Sequence, residues 1–247
     1  MLPNAQWRDR GAGRPSLADI AELIRARRGA RAPFIVGLTG AVAAGKSTLA
    51  AALGERIAGW PETPSVEVVC TDGFLLDNAT LEARGLTLKK GFPESYDAAA
   101  LGRTLAALRH GPADIPGYSH VTYDIDPALS RSLAPPDVLI VEGLGLQEPA
   151  VCGLDALLYL EAEEHLLEAW FTDRFLHLWR AAETDPASFY ARFRHLRAEE
   201  VRALAGRVWQ SINLPNLRDH IVRARDQADW VVRKGPGHVI EAIVEAR

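Results

Sequence analysis

Apolar residues in this chain gather into short continuous runs separated by longer amphipathic stretches, as expected of strands buried on both faces with helices between them. The run 34–38, Phe-Ile-Val-Gly-Leu behind Pro33, predicts the first strand. Residues 66–71 predict the second, entered through a turn that holds Pro61 and Pro64, and 137–143 the clearest later one. Residues 157–160 read as a short strand, and 230–233 and 238–241 as a closing hairpin around Lys234-Gly235-Pro236-Gly237. Helical spacing covers 16–28, with Ser16 as its cap and Leu17, Ile20, Leu23 and Ile24 on one face. Further helices are predicted over 48–57, from about Tyr96-Asp97 to Leu108, over 163–182, from Pro186 onward, and over 199–212, where the stretch 213–217 with Pro215 should break the last. Residues 1–15, polar and carrying Pro3, Gly11, Gly13 and Pro15, read as a loose tail, and 77–95 as a mixed connection with a basic turn at Lys89 and Lys90. Residues 115–124, dense in polar aromatics, alternate as a half-buried ribbon would. Neither an internal repeat nor a low-complexity segment interrupts the pattern. This β-α-β-α-β order predicts an α/β fold with a doubly wound, mostly parallel sheet.

The link between the first strand and its helix carries the most specific signal. Residues 37–48 hold G-x-x-x-x-G-K-[ST], with Gly40, Gly45, Lys46 and Ser47 in place. Strand, glycine loop and helix are the context a phosphate-binding loop needs. Glycines let successive N–H groups converge on phosphate oxygens, the helix start adds partial positive charge, and Lys46 adds a full one. Nucleotide contacts are expected along Gly40, Ala41, Val42, Ala43, Ala44, Gly45, Lys46, Ser47 and Thr48, with the Ser47 hydroxyl placed to ligate Mg2+. The loop predicts a nucleoside triphosphate without saying what is done with it.

Composition narrows the options. A 48% hydrophobic and 24% charged chain of 247 residues suits one large globular domain, and a net charge of −4 argues against a nucleic-acid partner. Two cysteines, Cys70 and Cys152, lie in neither a C-x-x-C pair nor a His/Cys cluster, which removes a zinc site and a disulfide framework from expectation. With no secretory leader and no apolar run approaching a membrane span, a cytoplasmic protein with no membrane partner is expected.

Two acids are candidates for chemistry. Asp72 follows the second strand, at the carboxyl edge where open α/β sheets bind ligands; it is either a base or metal-shell residue or a turn-forming aspartate. Glu142 closes the strand over 137–143 and reads as the acid directed at Mg2+. Arg25, Arg27, Arg28 and Arg31 suit either an anion site or a solvated helix end favoured by the dipole. Without N-K-x-D or an L-S-G-G-Q-like signature, a GTPase switch and a transporter ATPase are disfavoured. A carboxylate near Tyr, His and Asn suits phosphoryl transfer to a small alcohol.

At this point longer motifs become informative. Thr71-Asp72-Gly73-Phe74, Lys90-Gly91-Phe92-Pro93-Glu94-Ser95-Tyr96-Asp97, Tyr118-Ser119-His120-Val121-Thr122-Tyr123-Asp124, Val141-Glu142-Gly143-Leu144 and Ile212-Asn213-Leu214-Pro215-Asn216-Leu217 resemble, in order and spacing, the bacterial type I pantothenate kinases, relatives of the uridine kinase and phosphoribulokinase group. The similarity runs from about Phe34 to near the end of the chain. It implies a P-loop kinase fold with a helical lid or substrate region, a division into 1–32 (tail and helix) and 33–247 (kinase domain), and ATP- and Mg2+-dependent phosphorylation of pantothenate on the route to coenzyme A. It further implies that Asp72 activates the hydroxyl, that Lys46 and Arg174 meet the transferring phosphoryl, that Ser47 and Glu142 serve the metal, and that Tyr118, His120 and Asn213 line the acceptor pocket. His120, taken alone, is equally a structural histidine.

The chain departs from that family in places. Phe171 stands where the family has a tyrosine, removing a hydroxyl from the acceptor pocket. Ala51 falls where the family has an arginine linked to coenzyme A feedback, and Leu178 where it has an aromatic, so coenzyme A is expected to inhibit weakly. The N-terminal helical region and an insertion after residue 143 are shorter, while a homodimer is the family's tendency. A lost buried hydroxyl can shift specificity by orders of magnitude. A uridine, ribulose or sugar kinase therefore remains an alternative, as does a nucleotide-binding regulatory module without catalysis.

Overall fold

A computed structural model describes residues 14–246 of the chain; most of the predicted tail lies outside the described residues. Ten strands are assigned there: β1 (Phe34–Gly40), β2 (Val66–Cys70), β3 (Ala113–Ile115), β4 (Tyr118–Ser119), β5 (Asp124–Ile125), β6 (Arg131–Leu133), β7 (Val138–Glu142), β8 (Ala156–Glu161), β9 (Trp230–Lys234) and β10 (Ile240–Glu245). Six form the central sheet in the order β10-β9-β8-β1-β7-β2. All neighbours pair in parallel except β10, which returns antiparallel on β9. Strands β1 and β7 are buried at every position, which is why they read as unbroken apolar runs. The sequence expectation of a doubly wound, mostly parallel sheet holds.

Helix α1 (Leu17–Arg28) buries Ile20, Ala21 and Ile24 in the same core as the sheet. Helix α2 (Lys46–Ala58) packs Leu49, Ala50, Leu53 and Ile57 inward, and α3 (Asn78–Ala83) and α4 (Ala98–Leu108) follow β2. Asp77 and Asp97 cap those two, their carboxylates accepting the Thr80 and Ala100 N–H groups. The long helix α5 (Glu164–Ala181) packs on α6 (Ala198–Val208) around a second, smaller core that includes Phe175, Leu176, Tyr190 and Val201.

The two edges of the sheet are built differently. At the amino edge Asp137, Asp155 and Asp229 each stand one residue before a strand. Their carboxylates accept the N–H groups of Ser65, Ile35 and Leu157, each at 2.8 Å. Arg109 and Arg27 brace Asp155 and Asp229 at 2.9 Å. The amino edge is thus tied together, and the carboxyl edge is left for chemistry.

Three local expectations change. The ribbon over 115–124 becomes two small antiparallel pairs, β3 with β6 and β4 with β5. The segment after Pro186 forms only a 3-10 turn, Phe189–Phe193. The stretch 213–217 does not break its helix: α6 widens into a π-turn over Trp209–Asn213, passes Pro215, and stays helical to Gln227 with a second widened turn at Leu217–Ile221. A widened turn removes the clash between a proline ring and the preceding carbonyl, so the chain absorbs Pro215 rather than stopping at it.

Candidate functional site

The phosphate-binding loop leaves β1 at Gly40 and enters α2 at Lys46. Gly45, the residue before the helix, has φ 81°, in the left-handed region open to glycine at little cost. Ala43 also takes positive φ, 65°, so the loop turns its N–H groups inward at a backbone cost that tight turns around ligands often carry. Lys46 Nζ donates to the Gly40 and Ala41 carbonyls at 3.1 and 3.0 Å, folding its ammonium over the loop. Burial pulls the Lys46 pKa down, Glu142, Asp72 and Cys70 oppose that, and Arg174 adds to it. Half-buried and turned onto the loop, that ammonium is placed to meet a phosphate group there.

Ser47 Oγ donates to Glu142 Oε1 at 2.8 Å. Glu142 is 4% exposed, so a carboxylate with so little water is held by the loop rather than solvated. Hydroxyl and carboxylate stand side by side at the start of α2, an all-oxygen donor pair of the kind Mg2+ prefers.

Asp72 sits in the 3-10 turn Thr71–Phe74 that ends β2, on the same edge of the sheet. The segment 95–97 zips onto 74–76, with Leu76 N–H on the Ser95 carbonyl and Asp97 N–H on the Phe74 carbonyl, both at 2.8 Å. That pairing brings the Tyr96 hydroxyl to 3.4 Å from Asp72 Oδ1. Burial and then Asp72 push the phenols of Tyr96 and Tyr118 well up, so both stay neutral, and Tyr96 is the one that donates to the carboxylate. Tyr118 ends the ribbon that presents His120, whose ring lies edge-on to it at 5.1 Å, and a His120 nitrogen comes within 4.8 Å of a carboxylate oxygen of Asp72. Lys90 props the same ribbon, donating to Asn78 Oδ1 at 2.6 Å and to the Tyr123 carbonyl at 2.5 Å. Tyr123 is held at φ 60° and packs, tilted, against Phe189, 5.0 Å between ring centroids.

Lys46, Ser47, Glu142, Asp72, Tyr118 and His120 therefore converge on one edge. Arg174, exposed on α5, reaches the same field through its influence on Lys46 and Tyr190. Phe171 packs instead on Phe175 and Trp209, 6.0 and 5.9 Å between ring centroids. Trp209 opens the widened turn that closes at Asn213, whose Nδ2 is buried without a partner, as Asn216 Oδ1 is. Buried amides left unpaired are rare and suit a polar ligand.

Sequence reading missed one side of the site. Lys234 ends β9, 6% exposed, and donates to the Ala44 carbonyl at 2.9 Å. A Cβ on Gly45 would lie 3.0 Å from Lys234 Nζ and 3.4 Å from His238 Nδ1. His238, stacked on Trp170 at 3.8 Å, has its pKa lowered by burial and then by Lys234. The hairpin turn thus roofs the phosphate-binding loop. Because β9 runs parallel to β8 and β1, its last residue reaches the same carboxyl edge as Asp72 and Glu142.

Comparison with known proteins identifies the family. The profile of the Phosphoribulokinase / Uridine kinase family matches residues 35–170. A pantothenate kinase of Leifsonia xyli subsp. xyli is 44% identical over 86% of this chain and 69% of its own. One from Rhizobium rhizogenes is 41% identical over 87% of this chain and 69% of its own. Among solved structures, a candidate fructose transport system kinase of Silicibacter sp. TM1040 superposes with a TM-score of 0.66 at 29% identity, covering 83% of this chain and 93% of that one. No helix among the described residues is long and apolar enough to cross a membrane. The chain is a phosphotransferase of the phosphoribulokinase/uridine kinase family, within its pantothenate kinase branch.

Proposed function

We propose that this protein transfers the γ-phosphoryl group of ATP to the primary hydroxyl of pantothenate. The observation that carries the reading is 40–44% identity, across 86–87% of the chain, to proteins named pantothenate kinase. The site fits it. Asp72 orients the hydroxyl and accepts its proton, with the Tyr96 phenol fixing the carboxylate and Tyr118 and His120 beside it. Asn213 offers an unpaired amide to a substrate that carries a carboxylate, an amide and hydroxyls. Lys46 and the loop N–H groups cradle the phosphates, and Arg174 offsets charge on the moving phosphoryl. Ser47 and Glu142 would hold Mg2+, whose part when bound is to neutralise charge on the phosphate oxygens.

Residues 33–247 form the kinase unit in this reading, with 1–32 leading into it, and the protein acts as a cytoplasmic homodimer. Ala51 and Leu178 leave coenzyme A a weak inhibitor. A tight coenzyme A competition curve against ATP would contradict that. A second reading, a sugar-type acceptor, is favoured by the match over 93% of the candidate fructose transport system kinase.

ADP release from ATP and Mg2+ with pantothenate, uridine, ribulose or fructose separates the two. Pantothenate should give the highest kcat/KM; turnover of fructose alone would replace the reading. Asp72→Ala should lose transfer by about 100-fold or more while still binding ATP, and wild-type turnover in that variant would remove Asp72 as the base.

A further inference from the structure

The acceptor side of the site also holds a mixed donor set, in which Asp72 and His120 are joined by a sulfur that phosphoryl transfer does not use. Cys70 ends β2, Asp72 lies two residues on in the following turn, and His120 comes from the separate ribbon of β4 and β5. Their donor atoms, one sulfur, one carboxylate oxygen and one imidazole nitrogen, lie within 4.8 Å of one another. We propose that Cys70, Asp72 and His120 form a binding site for a borderline-soft divalent cation of the zinc class, beside the oxygen pair of Ser47 and Glu142 and with a different donor set.

Zinc bonds of about 2.0–2.3 Å in tetrahedral geometry put donor atoms roughly 3.3–3.8 Å apart. The site must contract by about an ångström from its widest separation, a movement the exposed His120 ring can make by rotation, since its ribbon is anchored independently. There Ser119 Oγ accepts the Thr122 N–H at 3.2 Å, and Lys90 holds the Tyr123 carbonyl. Asp72, two residues on, and Glu142, the cross-strand partner of Cys70, put two carboxylates beside the sulfur, a setting that favours a cation. Binding breaks the Sγ–H bond, releases that proton to solvent and forms a metal–thiolate bond, with no change of oxidation state. The neighbouring cation, Lys46, is turned onto the Gly40 and Ala41 carbonyls.

Donor chemistry separates the two sites. Thiolate and imidazole select zinc-like ions over magnesium, while a hydroxyl and a carboxylate select magnesium. Three protein ligands leave a fourth position open. If the proposed function holds, a metal on Asp72 occupies the carboxylate that must receive the acceptor's proton. Zinc then inhibits in competition with the acceptor rather than with ATP.

Co2+ added to the protein without ATP or acceptor reads the site directly. One equivalent should give a thiolate-to-cobalt charge-transfer band and four-coordinate visible bands, both abolished by Zn2+ and untouched by millimolar Mg2+. Cys70→Ser should lose the charge-transfer band, Cys152→Ser should keep it, and His120→Ala should weaken cobalt affinity at least tenfold. Circular dichroism and ATP calorimetry establish that each variant is folded. The proposal is overturned if wild type shows no thiolate band, if the band survives Cys70→Ser, or if His120→Ala binds cobalt as wild type does. Because the spectrum needs no turnover, an inactive pantothenate assay leaves it standing, and an active enzyme without the band removes the metal site alone.

Discussion

Lys234 is where folding and function can be set against each other. The residue is 6% exposed, and its ammonium holds one carbonyl and faces the field of Lys46 across the loop. Burial, and then Lys46, push its pKa down to about 8 from an ordinary 10.5. Between those values the unfolded chain carries a proton that the native chain has shed. Native stability therefore rises with pH across the window, and below about pH 8 the penalty is present in full. At about 1.4 kcal/mol per pKa unit the ceiling is about 3 kcal/mol, and partial solvent screening reduces it to about 1–2 kcal/mol. Lys234→Met keeps the stem and removes the titration. Urea midpoints should show the variant's stability relative to wild type falling by about 1–2 kcal/mol as pH goes from about 7.5 to 10. The buried phenols of Tyr96, Tyr118 and Tyr190 oppose that trend at higher pH but do so in both proteins and cancel. ATP affinity should move the other way, with a loss of about tenfold or more from one missing charge-assisted contact. A stability difference that ignores pH, or ATP binding equal to wild type, would refute the reasoning.

Other perturbations test the neighbouring parts. Glu142→Gln takes the carboxylate from Ser47, so the Mg2+ concentration for half-maximal activity should rise about tenfold or more; an unchanged metal requirement would remove Glu142 from that role. Gly143, at φ 142°, has no room for a Cβ, which would overlap the Thr71 hydroxyl that accepts the Leu144 N–H at 3.0 Å. Gly143→Ala should cost about 2–4 kcal/mol of stability by denaturant titration, while Gly111→Ala, opening on free space, should stay within about 0.5 kcal/mol; equal midpoints would contradict this. Phe171→Tyr should lower KM for pantothenate about tenfold without moving KM for ATP, and an unchanged pantothenate KM would place Phe171 in packing alone.

The legible part of this molecule was the part with local causes. Buried parallel strands show as apolar runs, and the loop over 40–48 follows from glycine spacing and a following helix. Asp72 and Glu142 were visible because each ends such a run. Pro215 misled, since the widened turn that accommodates it depends on how Trp209 packs in the core rather than on neighbouring sequence. Lys234 and His238 were hidden in an ordinary-looking hairpin turn, because their partners are Ala44 and Trp170, far away in the chain. The Cys70, Asp72 and His120 cluster escaped a spacing search for the same reason: the ribbon and the strand end meet only in three dimensions.

The roof over the phosphate-binding loop also has a temporal consequence. Lys234 reaches back across 190 positions to hold the Ala44 carbonyl. During synthesis the loop and its helix emerge first, and the cation that steadies them belongs to a strand made 190 positions later. Closing so long a loop is slow compared with local helix formation. A nascent chain stopped before β9 would carry the whole glycine motif and still bind nucleotide poorly, so competence to bind waits for β9.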